Sequence, residues 1–332
     1  MRFLFGKKKP VRKILCIRSD RLGEFLLTLP AIRLIKDNYP TAQIALMARQ
    51  ENLDLVRGFS YIDRLLPAPG IDSDPWTREL RRIIKKEAFD AVVIFNPRKK
   101  FNLASFFAGI PQRVGYNRKW GFLLNRKIPD IKHLAQHHEI EYNLSLAALI
   151  CAHNYVPEPD IPWNERSEIQ KVLERETAGK CSSYVIVHPF SSDSTKEIDF
   201  AFWDTLISKL LLENARIAII GLRAEYENSR FNELVNKGCI NLCGKLSLRE
   251  MGNLLKFFCS FYIGVDSGPF HMASLLKIPF AALFRRPGNI RRWGSFYVNP
   301  RGRVYLYQPG NTRSLIDRIA ASVTSQERHA DS

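Results

Sequence analysis

Four loops of the chain combine polar side chains with a position just after an apolar segment. Their sequences are RSDRLGE (18–24), HPFSSDSTK (188–196), GLRAE (221–225) and GVDSGPFH (264–271). In open parallel sheets, ligands bind beyond the carboxyl ends of the strands, where loops enter helix N-termini and main-chain N–H groups point outward. We therefore expect the chemistry of this protein to lie in these four loops.

The first and third loops carry carboxylates at the start of a predicted helix. Asp20 and Glu24 flank Gly23, but acids in this position also occur without a function, because they interact favourably with the helix dipole by about 0.3 to 1 kcal/mol. Glu225 lies where a carboxylate could accept hydrogen bonds from both hydroxyls of a ribose. A glutamate that faces solvent is the simpler interpretation. Taken alone, neither loop distinguishes a site from an ordinary helix start.

The second and fourth loops favour a ligand more strongly. Ser191, Ser192 and Lys196 offer hydroxyls and an ammonium that suit a phosphate or diphosphate, although serines also cap helices. The fourth loop places small and polar residues directly after an apolar strand, and core packing does not explain their density. These residues are Asp266, Ser267, Gly268 and His271.

Short apolar runs alternate with amphipathic stretches along the chain, which indicates β-α units and parallel sheets. Strands are predicted at 13–18, 43–48, 64–66 and 91–95, and again at 183–188, 216–220, 240, 261–265 and 280–284. Helices are predicted at 25–38, 77–87, 139–153, 165–176, 200–213, 226–236, 248–258 and 269–276. Three prolines in YVPEPDIPW (155–163) indicate a linker. We expect two doubly wound α/β domains, 1–160 and 161–332, with a cleft between them.

The composition is that of a globular protein, because 45% of the 332 residues are apolar and 25% are charged. No apolar stretch approaches the about 20 residues that a bilayer span needs, and the apolar start at 1–5 is too short for a signal-peptide core. We expect a cytoplasmic protein. Of the six cysteines, only Cys239 and Cys243 are close in sequence, without a second pair to complete a zinc site. We expect reduced thiols, mostly in the core, and no metal.

The chain is strongly basic, since 50 Lys and Arg against 33 Asp and Glu give a net charge of +17. Such a charge favours an anionic partner: nucleic acid, a membrane surface or a phosphorylated substrate. Residues 98–132 hold nine basic side chains against the single acid Asp130, and residues 284–303 hold six arginines and no acid. No helix-turn-helix, zinc-finger or aromatic RNA-binding signature is present, so we do not expect nucleic acid as the partner.

The ordered set of motifs from about residue 12 to 290 resembles glycosyltransferase family 9, the bacterial heptosyltransferases of the lipopolysaccharide inner core. The motifs are ILCIRSDRLGEFLLTLPAIR (14–33), RVGY (113–116), HEIEYNL (138–144), VHPFSSDSTK (187–196), IIGLRAE (219–225), NLCGKLSL (241–248) and YIGVDSGPFHMASLL (262–276). The resemblance implies a GT-B fold with two Rossmann-like domains. The first would bind the acceptor and the second a nucleotide-sugar donor, with no metal or other cofactor.

The resemblance also assigns roles to individual residues. Glu24 falls on the family's catalytic aspartate, which takes the proton from the acceptor hydroxyl. Ser191, Ser192 and Lys196 match the diphosphate contacts, and Glu225 matches the ribose contact. Asp266 would hold the donor-sugar hydroxyls, in a loop completed by Ser267, Gly268 and His271. Besides Glu24, three positions depart from the family pattern. Phe190 replaces a glycine, and Lys-Glu-Ile (196–198) replaces Lys-Arg-Trp, which changes residues 197 and 198.

The acceptor is assigned to basic and polar residues of the first domain. These are Asp20, Arg21, Arg113, Arg118 and Lys119. Asp20 is also expected to cap the helix or to pair with Arg18 or Arg21.

The implied function is inverting transfer of a heptose, or a related sugar, from ADP-heptose or a similar nucleoside-diphosphate donor. The acceptor would be a phosphorylated, lipid-linked lipopolysaccharide core at the inner membrane, which the protein would contact peripherally. Two alternatives remain: a catalytically inactive sugar-binding homologue, favoured if Glu24 cannot serve as the base, and a polyanion-binding protein. The sequence leaves open the donor nucleotide and sugar, the acceptor hydroxyl and the oligomeric state.

Overall fold

The computed structural model of the chain describes residues 10–69, 76–177, 183–227 and 229–330. The described residues of Met1–Arg21, Leu27–His133 and Ile140–Asp160 form one compact unit, and those of Leu22–Leu26, Leu134–Glu139 and Ile161–Ser332 form a second. Two short segments that were expected in the first domain, Leu22–Leu26 and Leu134–Glu139, thus pack with the second unit. The predictions on residues 1–9 and on Cys181 lie outside the described residues.

The first unit is built on a parallel sheet. Its strands are β1 (Lys13–Ile17), β2 (Gln43–Ala48), β3 (Arg64–Pro67), β4 (Ala91–Ile94), β5 (Gln112–Tyr116) and β6 (Arg126–Ile128). They lie in the order β3-β2-β1-β4-β5-β6, and every neighbouring pair is parallel. The central strands β1 and β4 are almost entirely buried, as expected for a sheet that is covered on both faces.

The helices of the first 160 residues follow the strands in turn. They are α1 (Leu22–Leu26), α2 (Leu29–Asn38), α3 (Gln50–Leu55), α4 (Trp76–Glu87), α5 (Lys99–Phe107) and α6 (Glu139–Ala147). Side chains from α4 and α5, such as Leu80 and Phe101, pack on Ile17 and Val92 of the sheet in one buried cluster. α6 ends at Ala147, short of the predicted end at residue 153.

The predicted helix 25–38 is two helices, and Pro30 explains the break. Pro30 lies in the first turn of α2, which begins at Leu29 after Thr28. A proline has no N–H to donate to the carbonyl four residues earlier, and its ring clashes with that carbonyl. The helix therefore stops at Leu26 and begins again three residues later.

The second unit repeats the arrangement. Its strands are β7 (Tyr184–His188), β8 (Ile217–Ile219), β9 (Ile240–Asn241), β10 (Cys259–Val265), β11 (Phe280–Phe284) and β12 (Gly302–Leu306). Its further helices are α7 (Arg166–Glu176), α8 (Phe200–Leu212), α9 (Arg223–Glu227), α10 (Asn232–Asn236), α11 (Leu248–Phe258), α12 (Gly268–Leu275), α13 (Pro287–Trp293) and α14 (Thr312–Ala330). The predicted helix 226–236 thus corresponds to parts of α9 and α10.

Both sheets have the strand order of a Rossmann domain. The second sheet runs β12-β11-β10-β7-β8-β9, again with parallel neighbours, so each unit has the order 3-2-1-4-5-6 in its own numbering. The order reverses between β1 and β4 in one unit and between β7 and β10 in the other. Ligands of such sheets bind beyond the carboxyl ends of these two central strands. Among the described residues, no helix is long and apolar enough to cross a membrane.

Candidate active site

The carboxyl ends of β7 and β10 bring two loops of the second unit together. Lys196 lies in a short 3₁₀ helix (Ser194–Lys196) that follows β7, and Asp266 follows β10 directly. The Nζ atom of Lys196 lies 2.7 Å from Oδ2 of Asp266. The Asp266 side chain is 3% exposed. The structure thus joins these two predicted donor residues into an ion pair, with a buried carboxylate and a partly exposed lysine, at the point where the strand order reverses.

The charge state of Asp266 depends on two opposed effects. Burial raises the pKa of the Asp266 carboxyl above its ordinary value, and the Lys196 ammonium lowers this pKa in part. A carboxylate that has lost its water benefits from every hydrogen bond that a ligand can donate. In this pair, the Asp266 carboxylate can accept hydrogen bonds from hydroxyl groups, and the Lys196 ammonium beside it can bind an anionic group.

Two buried histidines flank this ion pair, and both are neutral near pH 7. Nε2 of His271 lies 3.8 Å from Oδ1 of Asp266, and burial, together with the nearby His138 and Lys196, lowers the pKa of His271 to about 3. Burial lowers the pKa of His188 to about 4. Nδ1 of His188 lies 3.0 Å from Oγ of Ser267, and this oxygen lies 3.1 Å from the Val265 carbonyl.

The hydroxyl of Ser267 fixes the tautomer of His188. A serine hydroxyl has one hydrogen, and the Val265 carbonyl can only accept a hydrogen bond. Ser267 donates this hydrogen to the Val265 carbonyl. Nδ1 of His188 must therefore carry the proton and donate it to Oγ of Ser267. The two loops are therefore joined by directional hydrogen bonds between neutral groups as well as by the ion pair.

Helix α1 packs against the start of α12, and glycines on both sides allow the close approach. A Cβ atom on Gly23 would lie 2.8 Å from Cδ2 of His271, and a Cβ on Gly268 would lie 2.6 Å from Cδ2 of Leu22. Both distances are shorter than van der Waals contact. Glu24, which follows Gly23, is partly exposed and belongs to the same unit as Lys196 and Asp266.

In the first unit, Asp20 lies at the corresponding position, beyond β1 and β4. Its carboxylate is 3.3 Å from Nε of Arg18 and accepts a hydrogen bond of 3.1 Å from Nδ2 of Asn96. Nη2 of Arg98 lies 3.6 Å away. The expected pairing of Asp20 with Arg18 is present. Asn96 has no predicted role, and Arg98 was predicted only as a member of the basic cluster 98–132. The rule that selected the four loops, polar residues just after a strand, also selects the loop after β4.

The remaining acceptor candidates are Arg113, Arg118, Lys119 and Arg21. Arg113 donates 2.8 and 2.6 Å hydrogen bonds to the carbonyls of Leu123 and Ile110, so its guanidinium holds main chain in place. Arg118 donates a 2.9 Å hydrogen bond to Asp130. Lys119 is exposed and has a left-handed main-chain conformation, with a φ angle of 48°. Arg21 is exposed.

No group of three histidine, cysteine, aspartate or glutamate side chains in the described part of the chain could hold a metal ion. Cys151, Cys239 and Cys243 are buried free thiols. Burial raises the pKa of each to about 12, so these thiols are protonated and unreactive near neutral pH.

Comparison with known proteins identifies the family. Residues 77–304 match the profile of glycosyltransferase family 9 (heptosyltransferase). The chain belongs to this family. It is 23% identical to lipopolysaccharide heptosyltransferase 3 of Escherichia coli over 312 residues, which are 89% of this chain and 90% of that protein.

Two solved structures of heptosyltransferases share the fold. ADP-heptose LPS heptosyltransferase II of E. coli superimposes with a TM-score of 0.79 at 20% identity, covering 96% of this chain and 100% of that one. E. coli heptosyltransferase WaaC, solved with ADP, gives a TM-score of 0.72 at 18% identity, covering 93% and 99%. The expected GT-B fold is confirmed.

Phe190, which the sequence resemblance matches to a glycine of the family, is a buried core residue. Its ring packs edge-on against Phe231 at a centroid distance of 4.9 Å, and a Cβ on Gly221 would lie 2.6 Å from its Cδ2. The next departure also enters the core, since Ile198 is buried in the same cluster. Both substitutions therefore add apolar contacts beneath the loop that carries Lys196.

Ser191 and Ser192 lie in the loop after β7, and Glu225 lies in the first turn of α9, which follows β8. Oγ of Ser191 accepts a 3.2 Å hydrogen bond from the main-chain N–H of Asp193, and Ser192 is exposed. Oε2 of Glu225 accepts a 2.8 Å hydrogen bond from the N–H of Leu222, and burial raises the pKa of Glu225 above its ordinary value. Each of these loops is thus shaped in part by the side chain that is predicted to bind the donor.

A buried ion pair near His271 has no predicted role. Glu139 is fully buried, and Nη2 of Arg292 lies 2.9 Å from its Oε2. Nε2 of the neighbouring His138 lies 3.0 Å from the Gly294 carbonyl oxygen. A carbonyl oxygen can only accept a hydrogen bond, so Nε2 carries the proton and donates it. The sequence signal was the pair of polar residues at the head of HEIEYNL, just before an apolar helix.

Proposed function

We propose that this protein transfers a heptose from ADP-heptose, with inversion, to a hydroxyl of a phosphorylated, lipid-linked lipopolysaccharide core. Family membership supports sugar transfer, and the E. coli enzyme with the same fold is an ADP-heptose heptosyltransferase. The observation that carries the proposal is the packing of Gly23 on His271. It joins the helix that bears Glu24 to the loop that bears Asp266, so one unit holds a base and the donor residues.

In the proposed reaction, Glu24 accepts the proton of the acceptor hydroxyl as its oxygen attacks the anomeric carbon of the donor sugar. The bond from this carbon to the diphosphate breaks on the opposite face, and the nucleoside diphosphate leaves with the electron pair. Lys196 and the main-chain N–H groups at the start of α12 stabilise the charge that develops on it. The buried Asp266 accepts hydrogen bonds from sugar hydroxyls, which orients the anomeric carbon.

The donor nucleotide is bound by the loops after β7 and β8. Ser191 and Ser192 contact the diphosphate together with Lys196, and Glu225 accepts the ribose hydroxyls. Since one oxygen of Glu225 already accepts from Leu222, the ribose is bound by a carboxylate in a fixed orientation. Fixed polar groups lose little entropy on binding.

The acceptor is bound by the first unit, through Asp20, Arg21, Arg118 and Lys119. Arg113 contributes through the main chain that it holds. The net charge of +17 supports a polyanionic acceptor, because exposed cations attract phosphorylated groups over about 10 Å at moderate ionic strength. The protein works at the cytoplasmic face of the inner membrane as a peripheral protein, and nucleic acid is not its partner.

Calorimetry with ADP-heptose, UDP-sugars and GDP-sugars tests the donor. We expect ADP-heptose to bind most tightly, and a preference for a uridine or guanosine donor would reject the proposed nucleotide. A transfer assay with phosphorylated and dephosphorylated core saccharides then tests the acceptor, and NMR of the product gives its anomeric configuration. Donor binding without transfer would favour an inactive sugar-binding homologue, and acceptor binding without donor binding would favour a polyanion-binding protein.

A further inference from the structure

Four aromatic rings lie exposed in one part of the first unit. They belong to Phe106, Phe107, Trp120 and Phe122, and the last is 69% exposed. Single exposed apolar residues are common on proteins, but a group of large rings in one place marks a binding surface. We call these four residues the aromatic surface.

The aromatic surface consists of two ring pairs. The rings of Phe106 and Phe107, at the end of α5, have centroids 5.5 Å apart, and those of Trp120 and Phe122 are 6.0 Å apart. Arg113 connects the two pairs. Its guanidinium carbon lies 5.4 Å from the Phe106 centroid, and its Nε donates to the carbonyl of the residue that follows Phe122.

Cations lie directly against the rings. The guanidinium carbon of Arg81 is 5.6 Å from the Phe107 centroid, and Nζ of Lys99 is 5.7 Å from the Trp120 centroid. Arg81 belongs to α4, whose exposed side is cationic. Its exposed basic residues are Arg78, Arg81, Arg82, Lys85 and Lys86, against the exposed acid Glu79.

The protein holds Trp120 outward by a defined turn. Lys119 and Trp120 have φ angles of 48° and 71°, a left-handed conformation that is uncommon for bulky residues. Nδ2 of Asn102 donates a 2.9 Å hydrogen bond to the Lys119 carbonyl. Gly121 follows, and a Cβ there would lie 2.8 Å from the Tyr116 carbonyl oxygen. The indole is therefore presented to solvent by a fixed main chain.

We propose that the aromatic surface docks on an anionic phospholipid bilayer, with the rings among the headgroups and the neighbouring cations against lipid phosphates. Aromatic rings concentrate at the membrane interface, and basic residues near an anionic leaflet bind its phosphates. A free phosphorylated saccharide would neutralise the cations and leave the rings in water, whereas a bilayer accommodates both. The inference rests on the proposed function only in taking this bilayer to be the inner membrane.

Sedimentation with vesicles free of saccharide tests the proposal. We expect the protein to bind vesicles of phosphatidylcholine that contain phosphatidylglycerol, to bind phosphatidylcholine alone much less, and to lose binding at high salt. The double variant Phe107→Ser and Phe122→Ser should bind the anionic vesicles at least about tenfold less, because two rings no longer leave water. Its transfer to a soluble acceptor should be unchanged.

A matched control is the double variant Leu212→Ser and Val298→Ser, which removes two apolar side chains that are 85% and 88% exposed in the second unit. It should bind vesicles like the parent. Equal loss in both double variants would reject the assignment to the aromatic surface, and so would a parent protein that does not bind anionic vesicles. Binding to phosphorylated saccharide without binding to vesicles would assign the cations to the acceptor instead.

Fluorescence gives a second readout that needs no destabilising change. Brominated lipids quench tryptophan that enters the headgroup region, and we expect them to quench the parent protein. The quenching should fall by most of its amplitude in Trp120→Phe, which keeps an aromatic ring. Quenching that is unchanged in this variant would contradict insertion at Trp120. Both readouts are independent of sugar transfer, so an inactive enzyme that binds vesicles would contradict only the proposed function.

Discussion

A glutamate carries its carboxylate one methylene further from the main chain than an aspartate, and the sequence resemblance predicts that Glu24 occupies the position of the family's catalytic aspartate. The helix beneath it is fixed, because Gly23 packs directly on the buried His271 ring. The extra length must therefore be taken up by the side chain itself. Positioning to within about 1 Å matters strongly for a general base, so this residue is the first to test.

We expect Glu24→Gln to lower turnover by about 10² to 10⁴, the usual contribution of general-base assistance. The amide keeps the shape of the side chain and cannot accept a proton, so donor affinity should be nearly unchanged. Steady-state kinetics and calorimetry with the donor measure the two effects.

Asp20→Asn is the matched control for this prediction. It should reduce turnover less, because Asp20 interacts with Arg18 and Asn96 in the first unit. Full turnover in Glu24→Gln, together with loss of turnover in Asp20→Asn, would reverse the assignment.

Lys196→Ala should weaken nucleoside-diphosphate binding by about 1 to 3 kcal/mol, the range for a hydrogen bond to a charged group. The change also leaves the buried Asp266 without its cation, which disfavours a second anion nearby. Calorimetry with ADP measures the loss. The control is Lys209→Ala, which removes a surface ion pair with Asp317 in the same unit and should bind ADP like the parent. If the two variants bind ADP with equal affinity, Lys196 does not contact the donor.

The sequence allows a site residue to be predicted when that residue directly follows a strand. Lys196, Asp266 and His271 could be selected because the ends of parallel strands gather ligands, and the structure brings these three together. Glu139 and Arg292 could not be paired in this way, since 152 intervening residues separate them and the reason for burying Glu139 is a tertiary contact. The role of Phe190 was equally hidden, because a phenylalanine in a polar loop gives no sign that it packs under Gly221.

At the level of elements, helices α1 and α12 depend on two glycines for their contact. We expect Gly23→Ala to lower the free energy of unfolding by about 1 to 3 kcal/mol, as overpacking of a close contact does, because the new methyl group would meet the buried His271 ring. It should also lower turnover, since the displaced helix carries Glu24. Urea denaturation and kinetics measure the two effects.

Gly288→Ala provides the control, because no atom lies within 4 Å of a Cβ at this position of α13. This variant should be as stable as the parent or slightly more stable, since alanine favours a helix over glycine by about 0.5 to 1 kcal/mol. If Gly23→Ala behaves in the same way, the contact between α1 and α12 is loose and does not position Glu24.

Two of the strands that the sequence patterns missed, β6 and β12, share a physical cause, whereas the third, β5, lies inside its sheet. β6 and β12 lie at the edges of their sheets, and their exposed Lys127 and Arg303 give no apolar run to recognise. The central strands were predicted because burial on both faces requires continuous apolar residues. The split of the helix after residue 26 was not predicted, although Pro30 disfavours a continuous helix at this point.

For the whole molecule, the two buried histidines predict acid sensitivity. His188 and His271 have folded-state pKa values lowered to about 4 and about 3, against about 6.5 in the unfolded chain. As the pH falls below about 6.5, the two rings bind protons in the unfolded state but not in the folded state. The contribution of the neutral rings to the free energy of unfolding is therefore complete above about pH 6.5 and is lost as the pH falls toward the lowered pKa values. Between pH 7 and about pH 5, each ring should reduce the free energy of unfolding by at most about 2 kcal/mol.

Urea denaturation at several pH values measures this loss, and ¹⁵N NMR of the imidazoles assigns it. Burial raises the pKa of Asp266, so this carboxyl has the opposite effect. It increases the free energy of unfolding as the pH falls from its raised pKa to its ordinary pKa, and has no further effect below that. Ring signals of His188 and His271 that titrate near pH 6.5 in the folded protein would contradict the prediction.

The chain order of the two units limits how relatives can be recombined. Because Leu22–Leu26 and Leu134–Glu139 belong with the second unit, a chimaera that exchanges the first 160 residues of two family members also exchanges the helix lying on His271. Such a hybrid inherits Glu24 and the segment Leu134–Glu139 from the parent that supplies the first 160 residues. Specificities for donor and acceptor would segregate cleanly only in hybrids whose junctions respect these two inserted segments.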